Sequence, residues 1–201
     1  PEFPSASVPT GMYSGCVTSS REALLDATRR LLSTQGYEAT SPADIRKAAG
    51  VGQGSFYHHF AGKAELASAA LVALSRDMCA DFDQLLAANT RPADPLASVR
   101  AYLDLPRQAL AGCRIGRICM ESSLDDERIR VPIGQYFAHL RTRLTAILEP
   151  LQPAVPAAAL AELAVATVQG AYVEARATGD PVTMSRATSA LIQLIDAHLM
   201  T

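Results

Sequence analysis

A chain of 201 residues with 49% hydrophobic residues can bury a core of its own, which excludes a wholly disordered protein. Its formal net charge of −2 excludes a nonspecific polyanion binder, so any affinity for nucleic acid must come from local arrangement. No apolar run reaches the roughly 20 residues that cross a bilayer, so a soluble, cytoplasmic protein without membrane contact is expected.

Residues 1–17 are rich in Pro, Ser and Gly and are expected to be a flexible arm without a secretory signal. Its first residues read as a cloning remnant, with Met12 a candidate native start. Beyond it the pattern is helical throughout, with no sustained period-two alternation, so an all-α fold is predicted. Ser19 and Glu22 make a capping box for a first helix that turns Leu24, Leu25, Thr28, Leu31 and Leu32 inward and stops at Gly36. Ser41, Pro42 and Asp44 open a second that ends at Ala49-Gly50. A third runs from Gly52 or Gln53 to His59, and a longer fourth starts near Gly62-Lys63.

Arg91-Pro92 and Asp94-Pro95 separate this from a fifth helix, expected to continue through a kink at Pro106 to Gly112. A short helix is predicted over Ile115 to Ser123, and another over Arg128 to Leu148, perturbed near Pro132. Pro150, Pro153 and Pro156 form a linker, and two closing helices cover Ala157 to Thr178 and Met184 to Leu199. The four cysteines, Cys16, Cys79, Cys113 and Cys119, have no CxxC or metal-type spacing and are expected to be reduced thiols.

Three short helices ending at Gly36, Gly50 and His59 suit a helix-turn-helix, with Ala49-Gly50-Val51-Gly52 as a tight turn and Ile45, Ala48 and Val51 packing the pair. At about 100° per residue, Gln53, Gly54, Tyr57 and His58 share one half of the third helix, while Phe56 and Phe60 anchor the other. That free half suits a DNA groove: Gln53 can read adenine, Gly54 permits close approach, and Tyr57 and His58 reach phosphates or thymine methyls. Lys63 adds a cation at the next helix start, and Ser41 can serve the opposite flank. His58 and His59 diverge by about 100° on a helix and lack further ligands nearby, so neither metal nor cofactor is expected.

The run Gly36-Tyr37, Ala39-Thr40-Ser41, Asp44-Ile45, Ala48 to Gly52, Gly54 to Phe60 and Lys63 to Leu66 closely resembles the tetracycline-repressor (TetR) family over about residues 19–70. The resemblance implies an all-α homodimer with a DNA-binding domain over residues 18–64 and a ligand-binding and dimerisation domain over 65–201. Thr40, Ser41, Gln53, Gly54, Ser55, Tyr57, His58, His59 and Lys63 match positions that relatives use on DNA. Ala43 departs from members with a polar or basic residue there, which puts a base contact from the second helix in doubt.

Both closing helices carry apolar stripes at three- and four-residue steps. Such stripes serve either an intramolecular core or a four-helix interface. The family resemblance selects the interface, through Leu160, Leu163, Val168, Tyr172, Leu191, Leu194 and Ile195. The Gly112 to Gly116 segment with Glu121 and Phe137 loosely resembles an electrophile- and acrylate-responsive subgroup, which implies a sensing thiol at Cys113. Arg114 and Arg117 favour a thiolate there, helped by the amides of a helix start, while Glu121 and Asp125 oppose it. The alternative is a noncovalent pocket lined by Tyr102, Met120, Phe137 and Tyr172.

The expected function is a ligand-responsive transcriptional repressor, released from a near-palindromic operator by a small-molecule inducer or by cysteine modification. No Walker loop, HExxH or GxSxG supports an enzyme. The competing expectation is an all-α carrier or enzyme with an idle helix-turn-helix.

Overall fold

Eight α-helices occur among the described residues, 19–199, of the computed structural model; the arm, with Met12 and Cys16, and the side chains of residues 198 and 199 lie outside them. They are α1 (Ser20–Gln35), α2 (Pro42–Ala49), α3 (Gln53–His59), α4 (Lys63–Ala88), α5 (Ala97–Asp104), α6 (Glu127–Leu148), α7 (Ala157–Thr178) and α8 (Val182–Leu199).

Local chemistry sets the first boundaries. Ser19 accepts the Glu22 amide while Glu22 reaches back to the Ser19 amide, and Ser41 and Asp44 repeat this box at α2. Gly50 ends α2 in the left-handed region, φ 66°, where a side chain would be strained. The amides of Gly50 and Val51 both donate to the Arg46 carbonyl, which sets the tight turn into α3.

Two expectations are corrected further along. The fifth helix does not kink at Pro106 but ends at Asp104. Leu105 is driven out of the helical region by the following proline, at ψ 124°. Arg107 then folds back and donates to the carbonyls of Tyr102, Leu103 and Leu105, satisfying the exposed helix end. The predicted helix over Ile115 to Ser123 is instead two 3-10 turns, Ile118–Met120 and Ser122–Asp125, with Glu121 extended between them. Pro132 is tolerated inside α6, and its carbonyl accepts the buried Ser75 hydroxyl of α4 at 3.0 Å.

The apolar groups form successive clusters along α4, a rod about 39 Å long at 1.5 Å per residue. At its start Leu66 joins Leu24, Ile45, Phe56 and Phe60 in the core of α1–α3. In its middle Ala67, Leu71 and Leu74 meet Leu32 of α1 and Ile115, Ile118, Ile129 and Ile133. At its far end Phe82 and Leu86 pack with α5, α6, α7 and α8. Arg100 of α5 ties Asp94 at 2.6 Å to Asp196 of α8 at 2.7 Å.

A second tie fixes the α1–α2 corner against the 3-10 segment. One oxygen of Glu121 accepts the backbone amides of Tyr37 and Glu38 at 3.0 and 2.9 Å. In return Glu38 accepts the Ser122 hydroxyl at 2.6 Å and the Ser123 amide at 3.2 Å. The carboxylate gets this close only because residue 36 has no side chain: a Cβ there would lie 1.8 Å from Glu121 Oε1. Gly36 also sits at φ 87°, ψ −177°, a region nearly restricted to glycine.

Gly36→Ala is therefore expected to destabilise the fold by about 1–3 kcal/mol from backbone strain, with the lost clasp adding to it. Gly112→Ala, at φ 84° with open space around it, bears only the strain. Urea unfolding of the two variants beside the parent measures the difference; equal losses would show that the clasp contributes nothing.

Candidate nucleic-acid interface and ligand clefts

The outer face of α3 is built from beneath. Phe56 is fully buried and Phe60 nearly so, gripping the helix through Leu24, Ile45 and Leu66. The opposite side leaves Gln53, Gly54, Tyr57 and His58 exposed, with Tyr57 55% accessible and Ser55 and His59 half-buried. Between α2 and α3 the packing residue is Ala49 together with Val51; Ala48, expected there, faces outward. Ala49 lies four residues after the buried Ile45 and so shares its face of α2.

Cations surround this face. Arg21 stacks its guanidinium 5.4 Å from the Phe60 ring centroid, and Lys47 is exposed in the last turn of α2. Lys63 Nζ lies 4.0 Å from the Tyr37 ring centroid at the first residue of α4. Partial burial lowers the Lys63 ammonium pKa, and the charges of Glu121 and Glu38 act against that shift. None of Arg21, Arg46, Lys47 or Lys63 makes an ion pair within 4.0 Å among the described residues. Sequence reasoning found only Lys63 of this group; Arg21 comes to the end of α3 only through the fold, 32 residues before Gln53.

Two flanking residues are reassigned. Thr40 is 1% exposed, donates its hydroxyl to the Gly36 carbonyl at 2.6 Å and its amide to Tyr37, and so holds the corner instead of offering a donor outward. Ser41 spends its hydroxyl in the capping box, accepting from the Asp44 amide and donating to its carboxylate.

The other half of the chain contains two clefts. The first, about 710 Å³, lies between α4, the end of α5, the 105–114 segment, α6 and α7. The second, about 670 Å³, lies between the 111–120 segment, α6 and α7. All five residues expected at a ligand site border these spaces: Tyr102 the first, Met120 and Phe137 the second, Cys113 and Tyr172 both. The fold also brings in Arg107, Tyr136 and Gln169, which carried no sequence signal because they lie on a loop and two separate helices.

Cys113 is half-buried in an irregular turn, not at a helix start, so helix-terminal amides do not assist its thiol. Arg114 is paired with Asp81 at 3.3 Å, which weakens the expected cationic influence. Burial pushes the thiols of Cys79 and Cys119 up.

The expected interface residues divide. Leu160, Val168, Leu191 and Ile195 are buried inside the chain's own core with α4–α6, because they occupy the inner sides of α7 and α8, and Tyr172 is half-buried against that core. Leu163 and Leu194 instead point outward, 48% and 67% exposed. The stripe was visible in the sequence, but the position of its inner edge depended on helix rotation, which a periodicity does not fix.

This is the architecture of a helix-turn-helix regulator: a short, externally anchored recognition helix joined by a continuous helix to a cleft-bearing helical body. Residues 24–70 match the family described as bacterial regulatory proteins, tetR family, and residues 95–190 match the C-terminal domain described as transcriptional regulator LmrA/YxaF-like. The chain belongs to the TetR family of transcriptional regulators.

It is similar to an HTH-type transcriptional regulator in the lacX 3′ region of Lactococcus lactis subsp. lactis, 29% identical, covering 81% of this chain and 86% of the relative. It is also similar to the HTH-type transcriptional regulator BetI of Rhizobium meliloti, 27% identical over 89% of each chain. Among solved structures, a TetR-family regulator from Agrobacterium tumefaciens superimposes with a TM-score of 0.74 at 28% identity, covering 87% of this chain and 96% of that one. No helix among the described residues is long and apolar enough to cross a membrane.

Since the thiolate is the reacting form, brief iodoacetamide treatment of the native protein at neutral pH is expected to label Cys113 ahead of Cys79 and Cys119. Peptide mapping by mass spectrometry reads the order; Cys119 labelled first would place Cys113 in inert packing.

Proposed function

We propose that the chain is a homodimeric repressor that holds a near-palindromic operator through α3 and releases it when a small molecule enters the cleft beside Tyr102 and Tyr172. Residues 18–64 bind DNA, residues 65–201 bind ligand and pair with a second copy, and both act in the cytoplasm, where the operator lies. Gln53, Gly54, Ser55, Tyr57, His58 and His59 meet the groove and its edges, and Lys63 meets a phosphate.

One residue carries this reading. Gly54 lies in the first turn of α3, where glycine costs up to about 1 kcal/mol relative to alanine, yet a Cβ there would meet nothing within 4 Å. No described residue calls for glycine at 54, which fits a partner that approaches the helix backbone closely, as a groove edge does. An idle helix-turn-helix on a carrier or enzyme gives no such reason.

The same logic applies to α7. Its outward residues Leu163, Ala166, Gly170, Val173 and Ala177 recur at three- and four-residue steps, and a Cβ at Gly170 would also meet nothing. With Leu194, Ala190 and Ala197 on the outer side of α8, this face suits a second copy packed closely against it. The interface therefore centres on Leu163 and Leu194, flanked by Gly170 and Val173.

Release works by population shift: a ligand moves the dimer only as far as it prefers the state whose recognition helices no longer match the DNA spacing. Cys113, shared by both clefts, supports a second route in which its modification has the same effect.

Gly54→Ala separates folding from binding. It is expected to raise stability by up to about 1 kcal/mol and to weaken operator binding. Gln53→Ala is expected to cost roughly 1–3 kcal/mol at one base pair, and Lys63→Ala to weaken all sequences and flatten the salt slope by about one contact per subunit. Fluorescence anisotropy across a salt series reads these effects; a Gly54→Ala protein that is stabilised and binds as before would refute the groove assignment.

Light scattering at micromolar concentration is expected to give a dimer, and Leu163→Asp with Leu194→Asp a folded monomer. A dimer unaffected by both changes would place the interface elsewhere.

A further inference from the structure

The first cleft has a chemistry of its own, set by one side chain without a partner. Tyr102 is 4% exposed on the cleft wall, and its hydroxyl is the only buried side-chain N or O atom among the described residues that has no hydrogen-bond partner. Leaving such a group unmatched forfeits its hydration for nothing in return, so its presence at a cavity wall needs a reason. Removing it would be simple, since phenylalanine would keep the edge-to-face contact with Phe82, whose ring centroid lies 5.2 Å away.

The charged groups on this wall already have partners. The charged residues lining the cleft are Asp81, Arg107 and Arg114. Arg107 is spent on the Tyr102, Leu103 and Leu105 carbonyls, and Arg114 on Asp81. Met78, Phe82, Leu85 and Val168 supply apolar walls. Tyr136 and Tyr172 join Tyr102 on the lining, and burial raises all three phenol pKa values, so each stays a neutral hydrogen-bond donor near neutral pH.

We propose that this cleft binds an uncharged, largely apolar carbonyl compound, whose oxygen accepts the hydrogen bond that the Tyr102 hydroxyl has to give. The inference rests on the ligand-responsive reading above and specifies its ligand class. A carboxylate would have to draw Arg107 away from the carbonyls that end α5, or Arg114 from Asp81, and a cation would have to break that Arg114–Asp81 pair. A hydrocarbon of the same shape would fill the space, about 710 Å³, but leave the Tyr102 hydroxyl unmatched. The second cleft is the weaker candidate, because Val173 and Ala177 on its rim belong to the α7 face assigned to a second copy.

The test uses three probes of one shape: 2-acetylnaphthalene, 2-ethylnaphthalene and 2-naphthoate, titrated by calorimetry into the full chain and into Tyr102→Phe. The ketone is expected to bind the parent at least tenfold more tightly than either of the others. Tyr102→Phe is expected to lose about tenfold for the ketone and nothing for the hydrocarbon, with an unchanged or higher melting temperature. A ketone that fails to bind, binds no better than the naphthoate, or binds Tyr102→Phe as it binds the parent overturns the proposal. Operator binding is measured separately without probe. Intact operator binding beside a failed ketone overturns the ligand class alone, whereas lost operator binding overturns the regulator reading itself.

Discussion

The approach of the Glu121 carboxylate to the bare backbone at Gly36 is the constraint on which the arrangement depends. It joins the corner that leads into α2 to the segment that walls the second cleft, and it requires that residue 36 have no side chain. Hydrogen bonds to an ionised carboxylate are about twice as strong as neutral ones, and here one oxygen accepts two backbone amides. The reciprocal bonds from Ser122 and Ser123 to Glu38 make the contact two-sided, and hydrogen bonding to these partners holds the Glu38 carboxyl below its usual range. α4 supplies the parallel mechanical link, since its first turn is core to α1–α3 and its last turns are core to the helices around the first cleft.

These two links form an unbroken chain of contacts from the surroundings of Cys113 and Tyr172 to the helices that carry α3. The 111–120 segment borders both clefts, and Glu121 follows it directly. Glu121 in turn holds the Tyr37 and Glu38 amides, and the Tyr37 ring lies against Lys63. Because packed interiors switch between discrete arrangements, a small displacement at the cleft can become a change in the angle of the whole DNA-binding unit.

The N-terminal half was readable from the sequence almost residue by residue. Its boundaries are set by local chemistry, the two capping boxes and the left-handed Gly50, which a sequence displays directly. The outer and inner sides of α3 followed from Phe56 and Phe60 alone. What failed there was the side-chain duty of Thr40, whose hydroxyl turns inward to a carbonyl four residues back, and the choice of Ala48 over Ala49. Thr40 sits outside any helix, where periodicity says nothing of its direction, and the four-residue step from Ile45 favours Ala49 over Ala48.

The C-terminal half was less readable because its decisive contacts are long-range. Pro106 announced a disturbance but not that Arg107 would return to cap α5, and nothing near Glu121 pointed 84 residues back to Tyr37. The α7 and α8 stripes were visible, yet their inner members Leu160, Val168, Leu191 and Ile195 proved to be core. The five ligand-site candidates nevertheless gather on two adjoining clefts, Tyr102, Cys113 and Met120 from the ends and breaks of helices and Phe137 and Tyr172 from within α6 and α7. The most direct test of the central claim is to select DNA from a random duplex pool with the full-length protein and sequence what it retains. The account predicts two inverted half-sites whose centres are about one helical turn apart or a multiple of it. Retention of no common sequence, or of a single unpaired half-site, would contradict it.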